Sequence, residues 1–255
     1  MPVELSRVEE FALITLNRPE ALNALSFQIV DEIGQAIDEA AASDARALLI
    51  TGAGDKAFCA GADISEFLDR GIVEEIAGTE KGQQTFAKLD GLSIPSVAVI
   101  NGYALGGGLE LATACTLRVA TANARLGVPE IKLGLIPGYG GTQRLPRLVG
   151  QGLALEMVMT GRMLNAEEAL RAGLINRIVE GDPVEGGVAF AREFSAYSLP
   201  VLRYAREAVT RADNTALQEG LLIERDLNTL AFEGEDSTEG ANAFLEKRAP
   251  KFQDR

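Results

Sequence analysis

The sequence predicts an α/β protein whose core alternates strands and helices and whose C-terminal region is helical. Three observations carry this. Short apolar runs bounded by turn residues recur through the first two-thirds of the 255-residue chain. Amphipathic stretches with capping residues lie between them. After Leu199-Pro200 the strand signals stop and only helical periodicity remains.

The elements follow in order. Phe11-Ala12-Leu13-Ile14-Thr15-Leu16 reads as a strand stopped by Asn17-Arg18-Pro19. Val30, Ile33, Ile37 and Ala40 recur at helical spacing behind a Ser26 cap. Residues 47–51 form a buried strand ending at Gly52, and residues 97–100 another ending at Asn101-Gly102. Between them, Asp63 and Glu66 stand at D-x-x-E spacing, so Asp63 is expected to cap a helix. Residues 107–115 read as a helix that is apolar apart from Glu110 and Thr113, and such a helix is usually buried. Residues 117–120 are a third strand, and residues 136–144 open a helix that runs to Val149. Asn165-Ala166-Glu167-Glu168 forms a capping box for a short helix that stops at Gly173, with a last strand over 174–179. In the tail, Ile223, Leu227, Leu230 and Ala231 make an apolar stripe. Asp236-Ser237-Thr238-Glu239 reads as another capped start, its helix ending at Pro250. The division is therefore a core over residues 1–197 and a helical region over 198–255, which is short for an independent domain and is expected to pack on the core or on another subunit.

Composition narrows the function. Hydrophobic residues make up 47 % of the chain, Trp is absent and aromatics are few, so the core is mostly aliphatic. A net charge of −13 argues against a nucleic-acid groove or an anionic membrane surface as partner. An anionic ligand would need local cations and backbone amides. The N-terminus has no secretory pattern, no apolar run reaches a membrane span, and Cys59 and Cys115 have neither disulfide-framework nor zinc spacing. A cytoplasmic location is expected, with both cysteines acting as small buried hydrophobes and no metal or redox cofactor implied.

The chain contains no histidine. Imidazole does most general acid–base work at neutral pH, so any proton-moving chemistry here falls first to carboxylates. Glu110 follows the glycine run Gly106-Gly107-Gly108, and Glu130 follows Val128-Pro129. A carboxylate in an apolar helix is costly unless bonded, so Glu110 reads either as an acid–base group beside a pocket or as a side chain that is exposed or bonds a loop amide. Glu130 alone reads equally well as a helix-start carboxylate. The glycines let backbone approach a ligand closely, and amides opening a helix favour negative charge, which is the raw material of an oxyanion hole. A dinucleotide fingerprint fails because its third glycine position is Leu111, and no phosphate-binding G-x-x-x-x-G-K-[ST] loop exists.

Three motifs in order are specific together. Ala60-Gly61-Ala62-Asp63-Ile64, Asn101-Gly102-Tyr103-Ala104-Leu105-Gly106-Gly107-Gly108-Leu109-Glu110, and Pro129-Glu130-Ile131 through Gly141-Thr142-Gln143-Arg144-Leu145 resemble the enoyl-CoA hydratases of the crotonase superfamily. The resemblance spans essentially the whole chain. It implies a spiral of β-β-α turns with a C-terminal helical trimerisation region, assembled as a trimer or a dimer of trimers. It implies an acyl-CoA thioester substrate and no separate cofactor. By the same resemblance, the amides of Ala62 and Gly107 would hold the thioester oxygen, Glu110 would activate water, and Glu130 would exchange a proton at C2. Ala24, Ala60, Asp63, Ile64, Gly106, Gly138, Phe244 and Lys247 would contact CoA or substrate. Lys247 and Arg248, reached across a subunit interface, and Lys56 are the candidate phosphate contacts, although cations at a helix end also have a purely local reading. Residues 67–87 would shape the acyl pocket. The family often has Cys before the first glutamate, where this chain has Leu109, and Asp where it has Thr116. Neither change removes a catalytic group. The rival readings are an enoyl-CoA isomerase, which needs only the Glu130 equivalent, and a non-catalytic acyl-CoA-binding relative.

Overall fold

The computed structural model describes residues 1–68 and 70–255. Among these the order is β1 (Val3–Val8), β2 (Phe11–Leu16), α1 (Phe27–Ala41), β3 (Leu48–Gly52), β4 (Ala57–Cys59), α2 (Ile72–Ala87), β5 (Ser96–Ile100), β6 (Tyr103–Leu105), α3 (Gly107–Ala114), β7 (Leu117–Thr121) and β8 (Arg125–Gly127). Then come α4 (Gly141–Thr160), β9 (Met163–Asn165), α5 (Ala166–Arg171), β10 (Arg177–Val179), α6 (Pro183–Ser195), α7 (Leu199–Arg211), α8 (Leu217–Glu233) and α9 (Glu235–Glu246).

Two sheets result, a six-stranded one ordered β1-β2-β3-β5-β7-β10 and a four-stranded one ordered β4-β6-β8-β9. The pairs β3/β4, β5/β6 and β7/β8 each give one strand to each sheet before the chain crosses over, which makes a spiral of β-β-α turns. All neighbours in the large sheet are parallel except the β1–β2 hairpin. Its central strands β3 and β5 are buried throughout and apolar on both faces because both faces are covered, whereas the edge strand β1 is mostly exposed. Ile14, Ile50, Ala98 and Ala120 face α1, α2 and α3, while Phe11, Leu49, Val97, Val99 and Val119 face Val188, Phe190 and Ala191 of α6.

Buried asparagines fix the corners between the sheets. Asn101 Nδ2 donates to the carbonyls of Gly52 and Gly54, at 2.7 Å each, and Asn23 Nδ2 donates to Ala57 O at 2.8 Å. Unpaired backbone carbonyls at such corners would each cost about 1–3 kcal/mol.

Caps expected from sequence form at Ser26, whose Oγ accepts from Ile29 N, and at Asn165–Glu168, where both reciprocal bonds are 2.9 Å. Four expectations are corrected. Asp63 does cap, its Oδ1 accepting from Ser65 N–H, but the helix after it is only a 3-10 turn, Ile64–Phe67. Asp63 N–H already serves Leu25 O, and Glu66 accepts from Phe27 N–H, so the return half of the capping box is not made. The helix from Gly141 runs beyond Val149 to Thr160, broken at Gly150 (φ 77°, ψ 157°), so it is two helices end to end. Of residues 174–179 only Arg177–Val179 pair with β7. Leu174 O instead accepts from the buried Arg118 Nε, which pulls that stretch out of the ladder. The last helix starts at Glu235 and ends at Glu246, with Lys247 left-handed (φ 54°). Asp236 does not cap it. Its carboxylate accepts the amides of Gln253 and Asp254, which folds the end of the chain back onto this helix.

α7 and α8 bury none of their residues. Ile223, Leu227 and Ala231 of the expected stripe are half-buried, and Leu230 is exposed.

Candidate active site

The site is built where α3 meets the end of β4. Gly106 (φ 51°, ψ −126°) turns the chain into the helix in a conformation that disfavours any side chain, and a Cβ there would stand 2.8 Å from Glu130 Oε1. A Cβ on Gly108 would lie 2.2 Å from Cys59 O, so α3 is pressed directly onto β4. Gly107 is the first helical residue, and its N–H has no acceptor within the helix. Ala62 forms a parallel bridge with Leu25 through its neighbours: Leu25 N–H donates to Gly61 O and Asp63 N–H donates to Leu25 O, both at 2.8 Å. Groups alternate along an extended chain, so Ala62 N–H points away from Leu25. The Gly61 backbone packs against Leu105 and Gly106, and Ala62 and Gly107 line one pocket.

Glu110 lies in the first turn of α3 and is only 2 % exposed. Its Oε1 accepts two amides, Tyr139 N–H at 2.8 Å and Gly141 N–H at 2.7 Å. Burial dominates its ionisation and pushes the carboxyl up to about 7. The Gly141 amide opposes this, the Glu130 charge adds to it, and the Tyr139 amide and Arg144 oppose it further. Arg144 is itself held by a two-pronged pair with Asp90 at 2.8 and 2.6 Å. Glu130 sits on the 3-10 turn Pro129–Leu133. Burial raises its carboxyl also, against its own backbone amide. Its Oε2 is buried and accepts no hydrogen bond from any described residue. One carboxylate is thus held by amides that favour its charged form, and the other keeps an oxygen without a donor.

These groups line one cavity of about 820 Å³, its open mouth included. Ala60, Ala62, Ile64, Gly106, Gly107, Glu110, Glu130 and Gly138 of the expected site line it. Ala24, Asp63, Phe244, Lys247 and Lys56 are not among its described lining. Asp63 instead binds Ser65 and, at 2.8 Å, Arg18. Arg248 pairs with Glu239 and Glu246, each at 2.6 Å. Cys59 and Cys115 are buried, and burial pushes both thiols up to about 12.

Sequence reasoning missed Tyr139 as a side chain of the site, together with Arg70, Glu75 and Thr79 as individuals. A signal existed in α2. Gly78 and Gly82 stand one turn apart on a helix, and each clears space for a ring: a Cβ would meet Phe27 at one and Tyr139 at the other, both at 2.3 Å.

Comparison with known proteins agrees with this architecture. The family model for enoyl-CoA hydratase/isomerase matches residues 7–255, and the chain belongs to that family. A protein of Mycobacterium tuberculosis named probable enoyl-CoA hydratase echA8 is 45 % identical over 250 residues, covering 97 % of this chain and 96 % of the relative. The crotonyl-CoA hydratase of Syntrophomonas wolfei is 41 % identical over 253 residues, covering 97 % and 96 %. The crystal structure of an enoyl-CoA hydratase from Bacillus anthracis superposes with a TM-score of 0.95 at 34 % identity, covering both chains fully. The spiral fold is that of the crotonase-type enoyl-CoA hydratases. Among the described residues no helix is long and apolar enough to cross a membrane.

Proposed function

We propose that this chain adds water across the 2,3 double bond of trans-2-enoyl-CoA thioesters to give 3-hydroxyacyl-CoA. The observation that carries the reading is the unequal pair of buried carboxylates sharing a pocket with two helix- and loop-end amides. Attack on C3 of a conjugated thioester pushes charge onto the carbonyl oxygen. The N–H groups of Ala62 and Gly107 stabilise that charge in a preorganised setting, and one such donor is typically worth about 10²–10³ in rate. Glu110, held by two amides, takes the proton from water as its oxygen bonds to C3. Glu130 enters protonated and gives its proton to C2 as the enolate collapses. The pair then resets by returning one proton between the carboxylates through solvent. The reaction written this way uses no redox or metal chemistry. CoA enters only as part of the substrate.

The pH dependence has a definite sign. Glu110 must be ionised to accept a proton, and its carboxyl titrates at about 7. The kcat/KM for hydration is therefore expected to fall as pH drops below about 7. A profile flat down to pH 5 would contradict this assignment.

The helical tail exposes large apolar side chains, with Val209 at 73 %, Leu217 at 78 %, Phe232 at 74 % and Phe244 at 83 %. We assign these to contacts between copies of this chain, as a trimer or a dimer of trimers, in which Phe244, Lys247 and Arg248 of one copy approach the CoA of another. Sedimentation equilibrium is expected to give a mass of three chains or six. A monomer at micromolar concentration would overturn it.

The test of function is hydration of crotonyl-CoA, followed as loss of conjugated-enoyl absorbance. Failure of the unaltered chain with several enoyl lengths would sink the reading. Isomerisation of 3-enoyl to 2-enoyl substrates without hydration would favour the rival, which needs only Glu130. The buried, amide-held Glu110 favours hydration.

A further inference from the structure

We propose that the Tyr139 ring sets the acyl chain length this pocket accepts and restricts it to short trans-2-enoyl groups. The proposal rests on the hydratase reading above. The Tyr139 amide is fixed by its bond to Glu110 Oε1 at 2.8 Å, so the side chain must start beside the reacting carbons. One ring edge lies against α3, where a Cβ on Gly107 would be 3.5 Å from Tyr139 Cδ2. The opposite edge fills the space vacated at Gly82, where a Cβ would be 2.3 Å from Cδ1. Phe86, fully buried, backs the ring edge-on with centroids 5.6 Å apart and planes at 90°. The ring is therefore clamped between the first residue of α3 and the buried side of α2, and it has no space into which to retreat.

An acyl chain whose carbonyl oxygen sits at the Gly107 amide meets this ring within its first few carbons. The lining past the ring does not suit methylenes. Arg70, Glu75 and Thr79 of the same wall are polar, and Arg70 pairs with Glu75 at 3.1 Å. A longer alkyl tail pressed there would strip water from charged groups without replacing it. Among the described residues an alternative route follows the exposed apolar rim of Ile64, Leu133 and Ile136, and a chain leaving that way would not feel Tyr139.

The test compares kcat/KM for crotonyl-CoA and trans-2-decenoyl-CoA in the wild type, Tyr139→Phe and Tyr139→Ala, with Tyr139→Leu used if the alanine variant does not fold. The wild type is expected to favour crotonyl-CoA by about tenfold or more, the discrimination that a pocket wall gives against excess methylenes. Tyr139→Phe should keep that ratio, because the ring remains. Tyr139→Ala should shift it about tenfold or more toward decenoyl-CoA. A wild type that favours the long substrate, or a ratio that Tyr139→Ala leaves unmoved, overturns the inference. So does a Tyr139→Phe shift as large as the alanine one, since the hydroxyl and not the ring would then set the limit. Absence of hydration at every chain length would instead defeat the hydratase reading itself.

Discussion

Glu110→Gln is expected to lower crotonyl-CoA hydration by about 10²–10⁴-fold, the usual worth of a positioned general base, while stabilising the fold at alkaline pH. Both effects have one cause. The Glu110 carboxyl is raised from 4.5 to about 7, chiefly by burial. The folded chain therefore binds more protons than the unfolded chain between those values, and stability falls as pH rises through that window. Above about pH 7 the loss is complete. A shift of this size corresponds to a penalty on the order of 3 kcal/mol. Glutamine keeps an oxygen for the Tyr139 and Gly141 amides but carries no charge. Urea unfolding should therefore show Glu110→Gln more stable than the wild type at pH 8 and equal to it near pH 4. Equal stability at pH 8 would mean that Glu110 is not a desolvated carboxylate. The site thus keeps a destabilising group in place, as expected where burial tunes a base toward neutral pH.

Gly108→Ala should damage both fold and rate. Its Cβ would stand 2.2 Å from Cys59 O, a backbone atom that cannot rotate away. Either α3 or the end of β4 must shift. Overpacking of this kind costs about 1–3 kcal/mol or more. The shift also separates the Gly107 amide from the Ala62 amide, and a misplacement near 1 Å can cost about 10² in rate. Gly152→Ala is the control. Gly152 is helical and exposed with nothing near its Cβ position, so alanine there is expected to be neutral or stabilising by about 0.5–1 kcal/mol. Unfolding midpoints and crotonyl-CoA kcat for the two variants should diverge. A Gly108→Ala chain with wild-type rate would show that the close contact does not position the Ala62 and Gly107 amides proposed as oxyanion donors.

Legibility from sequence followed the length and two-sidedness of each element. β2, β3, β5 and α1 were readable because burial on fixed faces leaves long apolar patterns. β4, β6, β8 and β9 have three residues each, too few to show a period of two. α2 was missed because its stretch Thr79-Glu80-Lys81-Gly82-Gln83-Gln84-Thr85 carries no apolar stripe, and its glycines are there to make room for rings. Glu110 and Gly107 were legible because a charged residue and a glycine run break an otherwise apolar helix. Tyr139 was not. An aromatic residue in a glycine-rich loop has no local mark of which wall it fills, and Gly82, which receives it, lies 57 positions earlier. Asp236 and Glu66 read as capping residues locally, yet tertiary partners claim both: the returning C-terminal amides and Phe27 N–H.

The central claim is that Glu110 and Glu130 act as one unit on water and C2. Its most direct test is kcat/KM for crotonyl-CoA in the wild type, Glu110→Gln, Glu130→Gln and the double variant. If both carboxylates are needed in a single proton-transfer sequence, each single variant should lose about as much as the double one, within roughly tenfold, because groups acting as a unit are strongly non-additive. Losses that multiply, or a single variant that hydrates at the wild-type rate, would contradict the pairing.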